Sequence, residues 1–324
     1  MDVLTHSLIA LHLARLPSAI GIPAAVRLLV CLAASNAPDL DRLLLLPLRA
    51  QLLPLGPAGA FHSLPGAALL TIALGFVARP LAPPEHRRIL FLLVGSSVGL
   101  HLATDALTAS GLPLFWPLAS RRHGLAWLSS PDPWLWFLLA APLLRSWLRE
   151  RSAPEKLRLS ATRSGVVALV SLYLGISAVT KVRAIQATWR ALPTEPQVEE
   201  VQAYPLGPGP LRWTTLARTS DGRWQKSRVV LTEGLFRQGS VPSGASDPRM
   251  RIALETAEGR AFLAEAKAPF LVHATEVGAD GSFEVALGDL RFSDPASDRL
   301  PWVLWLRIGP SFATEAWTVV SSPH

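Results

Sequence analysis

Residues 88–107 read RILFLLVGSSVGLHLATDAL. The run is long enough to cross the hydrocarbon core of a bilayer as a helix, for which about 20 residues suffice. Basic residues stand at its start, and His101 and Asp105 stand at its end. The i,i+4 spacing of that pair puts both side chains on one helix face. Ionisable groups at such a depth are expensive unless protonated, paired or metal-bound, so the pair marks either a site or a satisfied helix–helix hydrogen bond.

The same reading extends outward along the first half of the chain. Apolar stretches cover about 5–16, 24–38, 63–79, 88–107, 131–148 and 164–181, and only the last three approach spanning length. The first two are expected to be short, tilted or re-entrant. The 324-residue chain is 50% hydrophobic and only 17% charged, with mean hydropathy +0.31, too apolar for an average soluble domain. That excess sits before about position 183. The fold class expected is therefore an all-α membrane-embedded helical domain over 1–183, followed by a smaller soluble α+β domain over 184–324.

Charge supplies the orientation. Arg15 and Arg27 flank the first turn; Arg79, Arg87 and Arg88 flank the third-to-fourth loop; Arg145, Arg149, Arg151, Lys156, Arg158 and Arg163 fill the fifth-to-sixth loop. These loops alternate so as to share the cytoplasmic side of the membrane. The opposite ends then carry His6, Asp39 with Asp41, His62, His101 with Asp105, and Asp132. A random scatter of polar residues would not sort by side in this way. The count also places the C-terminal domain outside the cytoplasm. Arg42, Arg49, Arg121 and Arg122 lie in outer loops, balanced locally or placed to bind an anionic substrate.

The net charge of +7 is not arranged as a groove with interleaved aromatics, so no nucleic acid is expected. Trp127, Trp134, Trp136 and Phe137 read as an interfacial belt. The lone Cys31 excludes an intramolecular disulfide. The first residues lack a basic n-region and a small-residue cleavage site, so no cleavable signal peptide is expected. Nothing in the pattern specifies an oligomeric state.

Each candidate ligand has a bland alternative. Asp39 and Asp41 could be a solvated helix exit with Arg42 as counter-ion. His6 in Thr5-His6-Ser7 and His62 in Phe61-His62-Ser63 each open a segment beside a hydroxyl that can cap a helix. Taken with the topology, His6, Asp39, Asp41, His62, His101 and Asp105 read as a metal site. Catalysis is expected of Asp39, Asp41, His101 and Asp105. His123 and Asp132 are outer candidates or partners of the ligands. His12 is expected to make a core hydrogen bond, and His86 to be solvated.

After position 184 the pattern changes to alternation and turns. Strands are expected at 212–219, 224–232, 270–277 and 302–308, with a helix over 248–267 capped by Asp247. His273, within a strand, reads as structural or surface.

Thr5-His6-Ser7, Ala37-Pro38-Asp39-Leu40-Asp41, His62-Ser63, Gly99-x-His101-Leu102-x-x-Asp105, Gly111-Leu-Pro-Leu-Phe-Trp-Pro117 and Asp132-Pro133 occur in that order. Over roughly residues 1–150 this ordered set resembles the YdjM-like family of bacterial inner-membrane metal-dependent hydrolases. The resemblance implies kinship with zinc-dependent phospholipase C and single-strand nucleases, all-helical enzymes that cut phosphate esters with a metal cluster. It implies His6, Asp39, Asp41, His62, His101 and Asp105 as metal residues. One departure is Pro57-Ala58-Gly59-Ala60-Phe61, where many members carry a His-Arg-Gly type stretch.

The expected function is thus a membrane-bound hydrolase using metal-activated water at the outer face, with a divalent cofactor, zinc first by its mixed His/Asp ligands. A phospholipid or other phosphodiester drawn from the lipid bilayer is the expected substrate. The alternative is a non-catalytic membrane protein with a structural metal site and a partner-binding outer domain. A cation transporter would need carboxylates on a route through to the cytoplasmic side, against the sorted topology.

Overall fold

The computed structural model describes residues 1–19, 21–41, 59–119, 121–150, 158–277, 281–292, 303–309 and 314–319. Arg42 and Arg49 lie outside them. The chain forms two compact units, divided between Ala178 and Val179 inside its longest helix.

The first unit is helical. Helix α1 spans Val3–Ala14 and α2 spans Ala24–Asn36, followed by a 3-10 turn at Ala37–Asp39. A second 3-10 turn at Ala60–His62 leads into α3, Leu64–Ala78. Then come α4, Arg87–Ala106, α5, Pro133–Glu150, and α6, Arg158–Ala191. Among the described residues three helices are long and apolar enough to cross a membrane: Leu64–Leu81, Pro84–Ala106 and Gly165–Ala191. The third apolar stretch therefore reaches spanning length, because the 3-10 turn Arg79–Leu81 prolongs α3. The fifth does not qualify, since Arg145, Arg149 and Glu150 occupy its last turns.

Small residues let these helices approach closely. Ala10, Ala14, Cys31 and Ala34 meet Leu90, Leu93, Val94 and Val98 of α4 in one buried cluster. A second cluster joins Leu8 to Leu135, Leu139 and Leu143 of α5 and Val166 of α6. His12 contacts the Leu139 carbonyl at 2.9 Å, the core hydrogen bond expected of it. His86 is half-buried, its ring packed where a side chain at Gly21 would stand, rather than fully solvated.

The second unit contains two four-stranded antiparallel meanders, β1-β2-β3-β4 and β5-β6-β7-β8. The first runs through Val198–Pro205, Arg212–Thr219, Arg223–Val230 and Gly234–Pro242. The second runs through Pro269–Glu276, Phe283–Asp289, Val303–Ile308 and Thr314–Val319. The C-terminal turns of α6 pack here: Ala184 joins Ala203, Trp213 and Val229 in the core, and Thr188 donates to Thr215 at 2.9 Å. The helix expected over 248–267 is two helices, α7 at Pro248–Glu255 and α8 at Ala257–Glu265. Asp247 caps the first as expected, its carboxylate accepting from Arg249 N at 2.8 Å. Thr256 caps the second, and Gly259 permits the corner, since a Cβ there would stand 1.9 Å from the Ala253 carbonyl oxygen. His273 is exposed on β5, 5.9 Å from the Trp305 ring.

Candidate metal centre

Four helix ends meet in the first unit. His6 lies in the first turns of α1, Asp39 and Asp41 follow α2, His62 immediately precedes α3, and His101 and Asp105 occupy the last turns of α4. The local signals that set these ends are simple. Asp2, not Thr5, caps α1: its carboxylate accepts from Thr5 N at 2.9 Å and from the Thr5 hydroxyl at 2.8 Å. Ser63 caps α3 through Gly66 N, as its position beside His62 foretold. Pro38 follows the last turn of α2 and turns the chain so that Asp39 and Asp41 return toward His62.

All six expected metal residues converge. His62 Nε2 lies 3.5 Å from Asp39 Oδ1 and 3.6 Å from Asp105 Oδ2; His62 Nδ1 lies 3.2 Å from Asp41 Oδ2. His6 Nε2 approaches Asp105 Oδ1 at 3.2 Å, and His101 Nε2 approaches Asp105 Oδ2 at 3.7 Å. The His6 and His101 rings stack with centroids 3.8 Å apart. Among the described residues two overlapping groups could each hold a metal ion: His6, Asp39 and His101, and His62, His101 and Asp105. The i,i+4 pair of α4 is thus part of a cluster rather than an isolated helix–helix contact. Five of the six are buried, and the Asp39 side chain keeps 21% of its exposure.

The hydrogen bonds around the cluster assign the ring nitrogens. His101 Nδ1–H donates to the Ser35 carbonyl at 2.7 Å, which turns its Nε2 lone pair inward. His62 Nδ1–H donates to Asp41, leaving its Nε2 to face His101 Nε2 at 3.2 Å. His6 Nδ1 reaches Thr104 Oγ1 at 3.4 Å, and that hydroxyl already donates to the Leu100 carbonyl. Among the described residues Asp41 Oδ1 is buried without a hydrogen-bond partner, and His6 Nε2 has the Asp105 carboxylate beside it. Lone pairs and carboxylate oxygens therefore face one another across a few ångströms, an arrangement that a cation between them would satisfy. The α-amino group of Met1 contacts Asp105. A divalent ion with mixed imidazole and carboxylate ligands fits this donor set.

Charge follows the same logic at the two members outside the spanning segments. Burial alone would raise the Asp39 carboxyl, but His62 beside it, with His101, holds it below the usual carboxylate range. Burial alone would lower His62, yet Asp39 and Asp41 outweigh it and raise the imidazole. A proton on His62 and a metal ion answer the same negative field.

The two outer candidates stand apart. Asp132 is fully buried as the cap of α5, accepting from Trp134 N at 3.1 Å, Leu135 N at 3.3 Å and Tyr173 Oη at 2.8 Å. Neither metal group contains it, nor His123, whose backbone pairs with Leu112 and whose ring meets Phe115 edge-on. Arg122 is buried and donates to the Ser110 and Gly111 carbonyls.

Two functional contacts escaped the sequence reading. Ser35 receives His101 Nδ1–H and donates its hydroxyl to the His6 carbonyl at 2.9 Å, tying three helices together. No local signal singles it out in an Ala/Leu-rich helix. Thr104 orients His6, and its place beside Asp105 in the α4 motif was the available clue.

The helical unit thus combines, among the described residues, three helices long and apolar enough to cross a membrane with a buried His/Asp cluster that could hold a metal ion. A family model described as YdjM inner membrane protein matches residues 1–184, more than half of the chain. The protein belongs to that family. No curated protein and no solved structure matches the chain.

Proposed function

We propose that this protein is a membrane-bound, metal-dependent hydrolase acting on a phosphate ester, with a phospholipid as the substrate class. The convergence of His6, Asp39, Asp41, His62, His101 and Asp105, with buried donor atoms left unsatisfied, carries the reading. When bound, a divalent ion, zinc first by its ligands, supplies Lewis-acid polarisation of a phosphoryl oxygen and acidifies water.

The residues divide the remaining work. Ser35 and Thr104 fix the tautomers of His101 and His6 so that both Nε2 lone pairs point inward. Asp41 holds His62 in place, and Asp105 bridges His6, His62 and His101. Asp39, the least buried of the six, stands where solvent and substrate gain access and can accept a proton during hydrolysis. The phosphate class rests on the family resemblance, and the bilayer as substrate source rests on the spanning helices. A multi-pass inner-membrane topology, with the metal centre and the sheet unit on the extracytoplasmic side, follows from the arginine distribution.

The test is metal analysis of the purified full-length chain beside His101→Ala and Asp39→Ala, followed by assays on phospholipid and soluble phosphodiesters. Wild type should carry a divalent metal that His101→Ala loses, and metal-dependent hydrolysis should vanish in both variants. Wild type without bound metal overturns the reading. Metal bound with no hydrolysis of any phosphodiester leaves a structural metal site in its place.

A further inference from the structure

The loop between α4 and α5 is fastened to the ends of two apolar segments long enough to span a bilayer. Leu112 and His123 pair as an antiparallel bridge, Leu112 N donating to the His123 carbonyl at 2.8 Å and His123 N to the Leu112 carbonyl at 2.7 Å. Gly111 and Gly124 allow the two arms this approach, since a Cβ on Gly124 would stand 2.7 Å from Gly111 Cα. The arms form a hairpin with its tip at 115–119. One arm is held at Leu64, the first residue of a span, whose N–H donates to the Leu114 carbonyl at 2.9 Å. Beyond the other arm, Leu125 N donates at 2.7 Å to the carbonyl of Ala106, the last residue of the next span. The hairpin therefore stands at the level where both apolar segments end. It is also on the side of the metal centre, for a Cβ at Gly59 would stand 3.6 Å from both Pro113 Cγ and His62 Cβ.

Phe115, Trp116, Pro117, Leu118 and Ala119 make the tip a run of consecutive apolar residues. Leu118 keeps 90% of its exposure, more than Val77 at 76%, the next most exposed large hydrophobic among the described residues. Phe115, Pro117 and Ala119 are exposed as well. A single exposed leucine is ordinary on a protein surface, whereas a contiguous apolar tip marks a surface that something covers. The backbone of the tip is prepared for an apolar medium. Trp116 N donates to the Pro113 carbonyl at 3.0 Å, and Leu118 N and Ala119 N donate to the Phe115 carbonyl at 2.8 Å and 3.1 Å. Pro117 has no N–H to satisfy. From 116 to 119 no backbone donor needs water, which is the condition for entering lipid. Charge points the same way: the sequence has no acidic residue between Asp105 and Asp132, and the exposed Arg121 follows the tip, a cation suited to lipid phosphates.

We propose that the 115–119 tip is an interfacial anchor, seated in the headgroup–acyl boundary of the bilayer beside the metal centre, with Arg121 at the level of the lipid phosphates. Amphipathic surface segments seat their apolar face about 5–10 Å into that boundary, and aromatic side chains such as Trp116 favour it. Because the hairpin is bonded to the ends of both spans, the anchor fixes the level of His62 relative to the headgroups. The placement requires a membrane but no hydrolysis, so a chain inactive toward every phosphodiester leaves it unchanged.

Nitroxide labels on the full-length protein, reconstituted in nanodiscs of phosphatidylethanolamine and phosphatidylglycerol, provide the test. Cys31 is the only cysteine, so Cys31→Ala gives a background in which Leu118→Cys and Ala119→Cys are each labelled alone. Cys31 is buried, and labelling in its presence gives the same reading should Cys31→Ala disturb folding. Collision rates with oxygen, which concentrates in lipid, and with a water-soluble nickel chelate report the surroundings of each label. Leu69→Cys, on the exposed face of α3, is the lipid reference, and Asp221→Cys, in the turn between β2 and β3, is the water reference. Both tip labels should show an oxygen-to-nickel ratio severalfold above that of Asp221→Cys, at a depth of about 5–10 Å below the phosphates. Either tip label as accessible to nickel as Asp221→Cys overturns the anchor. Low collision rates with both reagents mean that protein covers the tip, from this chain or a second copy, and overturn it as well.

Discussion

Two sets of buried carboxylates, one in each unit, show how differently this chain treats the same group. Asp289 in the sheet unit is fully buried and saturated. It accepts from Lys267 N at 3.0 Å, Arg291 N at 3.0 Å and Arg291 Nε at 2.9 Å, and pairs with the same guanidinium at 2.7 Å. Arg291 in turn donates to the Glu265 carbonyl at 2.8 Å. Asp41 and Asp105 in the helical unit are buried as deeply, yet they face imidazoles, and one Asp41 oxygen has no hydrogen-bond partner. Asp289 has its counter-charge in a guanidinium of the same fold, whereas Asp41 and Asp105 stand among imidazoles that could share a metal ion with them.

That contrast can be broken by mutation. Asp289→Ala leaves Arg291 as an uncompensated buried charge and should destabilise the sheet unit by about 3–5 kcal/mol. Metal content should not change in the folded fraction. A chemical-denaturation curve with metal analysis at each point checks both; a loss of metal without a loss of stability would erase the distinction.

His101→Ala should do the converse. Removing a residue shared by both metal groups should weaken metal binding by more than the ~10–100-fold that loss of an outer partner costs. Isothermal titration with zinc, with circular dichroism as the control, measures this, and undiminished affinity would dismiss His101 as a ligand.

Acid should act on the helical unit in the same direction. The metal needs His62 neutral, and Asp39 and Asp41 raise that imidazole above its ordinary 6.5, so protons compete already above that pH. Metal retained after dialysis across pH 5–9 should therefore fall as pH drops and His62 takes up a proton. Retention unchanged down to pH 5 would contradict the assignment of His62.

The smallest effect belongs to Asp132. As a helix cap its replacement by Ala should cost about 0.5–2 kcal/mol, visible as a lower melting temperature, with metal affinity intact. Metal loss in Asp132→Ala would move that residue back into the centre.

Much of this was legible in the sequence. The apolar stretches, the His-x-x-x-Asp pair, Ser63 as a cap and Asp247 as a cap all rest on spacing within one or two turns. Strand β2 was read with its observed bounds, because alternation and the adjoining turns are local too. Strands β1, β4, β6 and β8 escaped, being partly polar or punctuated by glycine, so their pairing rather than their pattern makes them strands. The break at Thr256 escaped for a similar reason: the helical pattern continues through it, and only the close packing of Gly259 on Ala253 turns the chain.

By itself the sequence determined which segments are helical and apolar, and which end of each carries His or Asp. Helical periodicity and the cost of charge in an apolar environment are properties of neighbouring residues. Only the tertiary structure decided that six of these residues share one cluster while Asp132 and His123 do not. Residues as distant in sequence as His6 and Asp105 meet through helix packing, and whether a buried carboxylate caps a helix, pairs with a guanidinium or faces an imidazole depends on what the fold brings opposite it.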